Sequence, residues 1–243
     1  MIKLENTETM GWEHAIRGMR NPMNSWEKGD SETITLTLKE REIASGITTF
    51  DWTPCKPYTR VGENDHELMV KLRNAGTDHR KFMRMIAVYV DITAPLYWWK
   101  EFDTYKVGTV ANSCSTMHKI HEKEFTLEDF STDTISGMDS QYYINVLLAV
   151  IEGLNTARNK YLELRDRKTQ VDAVDAKDQW RAMIELLPTS YNQKRTIMFN
   201  YEVLANMYKS RKNHKLDEWR QFCEWAAALP YGELITGKEG GDA

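Results

Sequence analysis

The chain has 243 residues, 41% hydrophobic and 28% charged, with a formal net charge of −4. That is enough apolar material for one large domain, and the acidic balance gives no overall electrostatic case for nucleic-acid or membrane partners. No apolar run approaches the roughly 20 residues of a membrane span, and MIKLENTETMGW lacks the apolar core of a signal peptide.

Residues 1–30 read as irregular apart from a helical start at WEHAIRGM. From Glu32 to Glu40, Ile34, Leu36 and Leu38 alternate with threonines, which fits a half-buried strand or a short helix edge. DWTPCKPYTRVG contains two prolines and reads as a loop. NDHELMVKLRNAG predicts a helix, with Asn64 or Asp65 as cap, Leu68 and Leu72 on one face and Gly76 as stop. Met85 to Ile92 is rich in β-branched and aromatic residues, the pattern of a central strand. Pro95 closes it and opens a helix through LYWWKEFDTYK. EFTLEDF and STDTISGM read as capped loop segments.

Between Gln141 and Arg167, Ile144, Leu147, Leu148, Ile151, Leu154, Ala157, Tyr161 and Leu164 recur at steps of three and four, predicting a long helix with one apolar face. KDQWRAMIELL is a further helix, ended by Pro188. TIMF leads into a helix with Val203, Leu204, Met207 and Tyr208 on one side. KLDEWRQFCEWAAAL is the last helix, closed by Pro230. The expected fold is α+β and helix-rich, with a small central β-sheet. A single domain spans 1–236 and a disordered tail spans 237–243.

Common chemical signatures are missing: no GxGxxG, P-loop, CxxC, HExxH or GxSxG occurs. Cys55, Cys114 and Cys223 are odd in number and far apart, which argues against a disulfide framework and for a reducing cytoplasm. His118 and His121 stand one helical turn apart in HKIH, but no third ligand is specified, so no metal is assigned. Cys114 in SCST reads as a buried small thiol before it reads as a nucleophile. Trp98 and Trp99 read first as core and interface, second as a stacking wall. The 8 Trp and 11 Tyr exceed what packing alone needs, and flat pockets or oligomer interfaces use such residues.

The carboxy-terminal third adds a further signal. In LLPTSYNQKRTIMFNYEVLANMYKSRK, Leu187-Pro188 is followed by Asn200, then by Asn206 six residues on and Arg211 five beyond that. This resembles the signature of the flavin-dependent thymidylate synthases. ARNKYLEL and LMVKLRNAG…FMRMIAVYVDITAP resemble the same family in the same order, so the likeness runs collinearly from about Asp65 to Pro230. The family's Arg-His-Arg motif falls on Thr104-Tyr105-Lys106, or one residue later if the loop insertion lies upstream. Its Asn-Glu-x-Ser-x-Arg motif falls on Asn112, Ser113, Ser115 and Met117, so its substrate arginine is a methionine here.

The resemblance implies a ThyX-like fold, FAD reduced by NADPH, and methylation of dUMP to dTMP with methylenetetrahydrofolate. It implies a homotetramer whose sites draw on several subunits. Carried over by position, Asn200, Asn206, Lys106 and Asn112 contact the cofactor. Arg211, Arg181 and Ser115 contact the nucleotide, and Ser115 is the catalytic candidate. Arg181 stands in for a family arginine whose own place is taken by Ile184. Phosphates need cationic, preferably bidentate donors, so the missing arginines open a second reading: an inactive or repurposed nucleotide- or flavin-binding homo-oligomer. A helix-rich interaction protein is the third.

Overall fold

The computed structural model describes residues 2–42, 48–133, 135–167 and 170–237, so most of the expected tail lies outside the described residues. Among the described residues, six strands are formed: β1 (Lys3–Met10), β2 (Glu32–Glu42), β3 (Thr48–Arg60), β4 (Ala87–Pro95), β5 (Val110–Ser113) and β6 (Asn192–Asn200). The helices are α1 (Trp12–Arg20), α2 (Glu63–Asn74), α3 (Leu96–Phe102), α4 (Ser140–Arg167), α5 (Gln170–Leu186), α6 (Tyr201–Arg211), α7 (Asp217–Ala227) and α8 (Glu233–Thr236). Strands β1, β4, β6 and β5 form one antiparallel sheet in that order, while β2 and β3 pair as a separate ribbon.

Period-two alternation orients the main sheet. Val88, Val90, Ile92 and Ala94 of β4, with Ile197 and Phe199 of β6, are buried on one face. Trp98 and Trp99 of α3, Tyr201 of α6, and Trp219 and Phe222 of α7 join them in the main core. The two tryptophan rings are 4.9 Å apart, and Trp219 lies 4.7 Å from Trp98. The aromatic run therefore packs the core, as its first reading held. A second, smaller core gathers Phe125 and Phe130 against Ile151, Leu154 and Met183 of the α4–α5 pair.

Four sequence expectations need correction. The first is the irregular amino terminus, which contains β1; its residues are almost all exposed, so no apolar alternation marked it. The second is the loop DWTPCKPYTRVG, most of which is strand β3. In a two-stranded ribbon each strand has a free edge where a missing N–H is tolerated, and Pro57 sits where the register slips between Ile34 and Leu36. The third is the cap of α2. The Asp30 carboxylate accepts the N–H groups of Asn64 at 2.9 Å and Asp65 at 3.1 Å from 34 and 35 residues upstream. The fourth is the helix after β4: Pro95 ends β4 and caps α3 from outside rather than sitting in its first turn, and α3 stops at Phe102, with Asp103 as its C-cap, rather than running on to Lys106.

Candidate functional site

The outer face of the four-stranded sheet is open, and cross-strand neighbours fall on it in rows. One row runs Glu5, Asp91, Thr196, Asn112, and another Lys3, Thr93, Lys194. Asp91 is tied into the first row by bonds from Thr196 at 2.6 Å and Asn6 at 3.0 Å and by Lys194 at 3.3 Å. Those donors, Thr196 first, hold its pKa at about 2, and Asp91 in turn raises that of Lys194.

The second row opens into a cavity of about 900 Å³ whose lining includes Lys3, Thr93, Lys194, Cys114, Ser115 and Tyr191. The segment Leu127–Phe130 forms the far wall, with Thr126 and Asp129 closing a capping box. Lys123 in this wall is ion-paired with Asp129, which raises the lysine's pKa, whereas burial pushes the Tyr191 phenol up. Three lysines, the carboxylates of Glu128, Asp129 and Asp133, hydroxyls and an aromatic ring thus share one concave space of ligand size.

Ser115 is exposed at the mouth of this cavity. Its Oγ accepts the N–H groups of Met117 at 3.2 Å and His118 at 2.8 Å, leaving its own proton for a ligand. Cys114, expected to be buried, is instead exposed beside it, because its strand-edge segment lies on the open face with only its backbone clamped, by Lys194 O at 2.9 Å and Gln193 Nε2 at 2.6 Å. Cys223, by contrast, is buried, and burial pushes its thiol up to about 11. Asn112 lies further along the open face, opposite Thr196.

The remaining candidates lie elsewhere. Asn200 is the N-cap of α6, accepting the Val203 N–H at 3.0 Å. Gly108, at φ +74°, presses the loop after α3 onto this helix start, where an added Cβ would meet Val203 at 2.9 Å and Asn200 at 3.2 Å. Lys106 is exposed in that loop. Arg211, three turns along α6 on the same side, is engaged by its own chain. It donates to Glu101 at 2.7 Å and to the Tyr105 hydroxyl at 2.9 Å, and lies 4.7 Å from the Trp219 ring. Arg181 is exposed on α5 and paired with Glu185 one turn on. Ser115 and Asn200 stand near opposite ends of β6, roughly 20 Å apart at about 3.3 Å per residue.

Asn206 points to residues that sequence reasoning missed. Its Oδ1 accepts from Arg80 at 3.2 Å, and Glu202 binds both Arg80 and Arg84. Two guanidinium groups stand here beside an exposed amide, with Glu202 bonded to both and the Asp78 carboxylate also acting on Arg84. This donor set fits a pyrophosphate. Lys3 and Lys194 were missed likewise, and only the register of β1, β4 and β6 brings them to the cavity. Among the described residues, no group of three His, Cys, Asp or Glu is placed to hold a metal ion.

No protein-family model matches the chain, and no curated protein matches it by sequence. Solved structures do. The flavin-dependent thymidylate synthase ThyX from Helicobacter pylori, complexed with FAD and dUMP, superposes with a TM-score of 0.58 at 15% identity, covering 97% of this chain and 98% of that one. A second Helicobacter pylori ThyX structure with FAD and dUMP gives 0.59 at 13% identity, covering 98% of each chain. The whole described architecture, and not only the carboxy-terminal signature, therefore has the α+β fold of the ThyX flavin-dependent thymidylate synthases.

Proposed function

We propose that this protein is a flavin-dependent thymidylate synthase that methylates dUMP with methylenetetrahydrofolate, using FAD reduced by NADPH. The observation that carries the reading is the end-to-end fold likeness to proteins complexed with FAD and dUMP. The collinear motifs and a cavity of matching chemistry support it. In this reading dUMP occupies the cavity at the sheet end. Ser115 donates to the nucleotide, and Lys3 and Lys194 supply the charge that Met117 does not. Tyr191 offers the pyrimidine a flat wall.

FAD is held at the other end of β6 by Asn200 and the Lys106 loop, with Asn112 between the two ends. Arg80, Arg84 and Asn206 take the pyrophosphate. When bound, the flavin supplies the hydride that completes the methyl group, while the protein positions rings and phosphates and excludes water. Arg211 holds Tyr105 and the loop in place. Arg181 reaches a nucleotide only by exchanging Glu185 for it.

The separation of the two ends of β6 favours sites shared between chains of a homotetramer. The amino-terminal half of α4 provides an apolar surface for it: Tyr142, Val146 and Leu148 are 66%, 48% and 45% exposed. A cytoplasmic location belongs to the same proposal, supported by three free cysteines.

The test is dTMP formation from dUMP, methylenetetrahydrofolate, NADPH and FAD. Turnover is expected, and Lys194→Gln should raise the dUMP KM about tenfold through loss of one charge-assisted bond. One observation favours a second reading, that of a nucleotide- or flavin-binding homo-oligomer without turnover. Arg211 is spent on Glu101 and Trp219, and Met117 offers no charge. Binding of FAD and dUMP with no product would establish that reading instead.

A further inference from the structure

The α4–α5 pair carries a second cavity, of about 400 Å³, that the proposed reaction does not use. Its wall includes His118, His121, Arg165 and Lys177, and among the described residues no carboxylate lines it. Arg165 and Lys177 are cations with no counter-charge in the wall, and they produce a positive field that an anion relieves and that protonation of His118 or His121 would add to. The Nδ1 of His121 is buried without a hydrogen-bond partner, an uncommon state for a polar atom. Arg165 pairs with its exposed neighbour Asp166 at 3.2 Å, a weak hold that leaves the guanidinium available.

The rest of the wall is aromatic and aliphatic. The Tyr161 ring lies 4.8 Å from that of His121, with Arg165 at 5.8 Å from the same tyrosine ring. Trp180 is fixed by its Nε1 donating to Met117 O at 2.9 Å. Burial lowers the His121 pKa first, then Arg165; Glu122 opposes the shift, and Lys119 and Arg158 add to it. His118 and Lys177 complete the set of titratable groups in the wall.

We propose that this cavity binds a small organic phosphate bearing a planar ring, of nucleoside monophosphate size, with the phosphate among Arg165, Lys177 and His121 and the ring against Trp180. The volume falls within the usual ligand-pocket range of about 300 to 1,000 Å³. Guanidinium and ammonium groups give the charge-assisted bonds that phosphate oxygens favour, and indole faces accept any base. The site is distinct from the sheet cavity and stands whether or not the chain is a flavoenzyme.

The test follows the His121 imidazole by proton–carbon NMR through a pH titration of the full chain, alone, with AMP and with inorganic phosphate. AMP should raise the His121 pKa by about one unit, a tenfold gain in proton affinity. The rise should vanish in the Arg165→Gln, Lys177→Gln double variant, whose changes touch no core residue. An unchanged titration with millimolar AMP would overturn the proposal, as would a rise that survives in the double variant. Equal rises with AMP and inorganic phosphate would overturn the assignment of the ring to Trp180.

Discussion

Asp65 is fully buried, and every hydrogen bond that keeps it there comes from upstream. Arg20 Nε donates to Oδ1 at 2.6 Å, while Oδ2 accepts from the Ser31 hydroxyl at 2.6 Å and from the N–H groups of Asp30 and Ser31 at 3.1 Å each. Burial alone raises its pKa, but the bonds from Ser31, Arg20 and Asp30 outweigh it and hold the carboxyl below 3.8. A depressed carboxyl stabilises the fold in full above its ordinary value, and the contribution fades as pH falls through the lowered one. Asp65→Asn should therefore remove part of the acid dependence below about pH 4. Asp65→Ala should cost about 3 kcal/mol at neutral pH by leaving Arg20 buried and unpaired. Urea unfolding between pH 3 and pH 7, at roughly unit steps across the carboxylate range, checks both. Arg211→Gln should cost about 1–2 kcal/mol, since Glu101 then faces Trp219 without its cation. A loss of dUMP binding with unchanged stability would instead assign Arg211 to the substrate. None of these partnerships was legible in the sequence. Asp65 read as a helix cap because helix starts favour aspartate, whereas its partner stands 45 residues away.

Elements were legible where burial imposes a period. Helix α4 follows its run of three- and four-residue steps almost to the residue, because it buries one face, and β4 follows the β-branched and aromatic run that Pro95 closes. Strand β1 escaped because it sits on the sheet edge and exposes nearly all its side chains, so backbone pairing alone defines it. Strand β3 escaped because its prolines speak against the interior of a central strand, whereas in a two-stranded ribbon both strands are edges. Long-range capping is testable at this scale. Asp30→Ala should destabilise the chain by about 1 kcal/mol, the usual worth of a helix cap, read by thermal or urea unfolding. Gly11→Ala should do more harm. Gly11 precedes α1 at φ +89°, and a Cβ there would approach Met85 O to 2.1 Å. An unfolding midpoint equal to that of the unaltered chain would contradict the close approach.

For the whole molecule, the carboxy-terminal signature pointed to the fold, and the end-to-end superposition bears it out. What sequence spacing did not show is how far apart β6 sets the candidates. Asn200 caps its end, Asn112 lies along it and Ser115 stands at its start, while the lysines proposed to answer the missing arginines come from β1 and β6. A shared site requires assembly. Tyr142→Glu with Val146→Glu should shift the protein to smaller species in analytical ultracentrifugation, and an unchanged sedimentation profile would place the interface elsewhere. The central claim is that the residues in place of the family's arginines still hold a flavin. The measurement that tests it most directly is the visible absorbance spectrum of the purified protein after FAD is added and free cofactor is removed by desalting. Retained flavin bands, weakened by Arg84→Ala, are the predicted result. A spectrum without flavin bands would contradict the account.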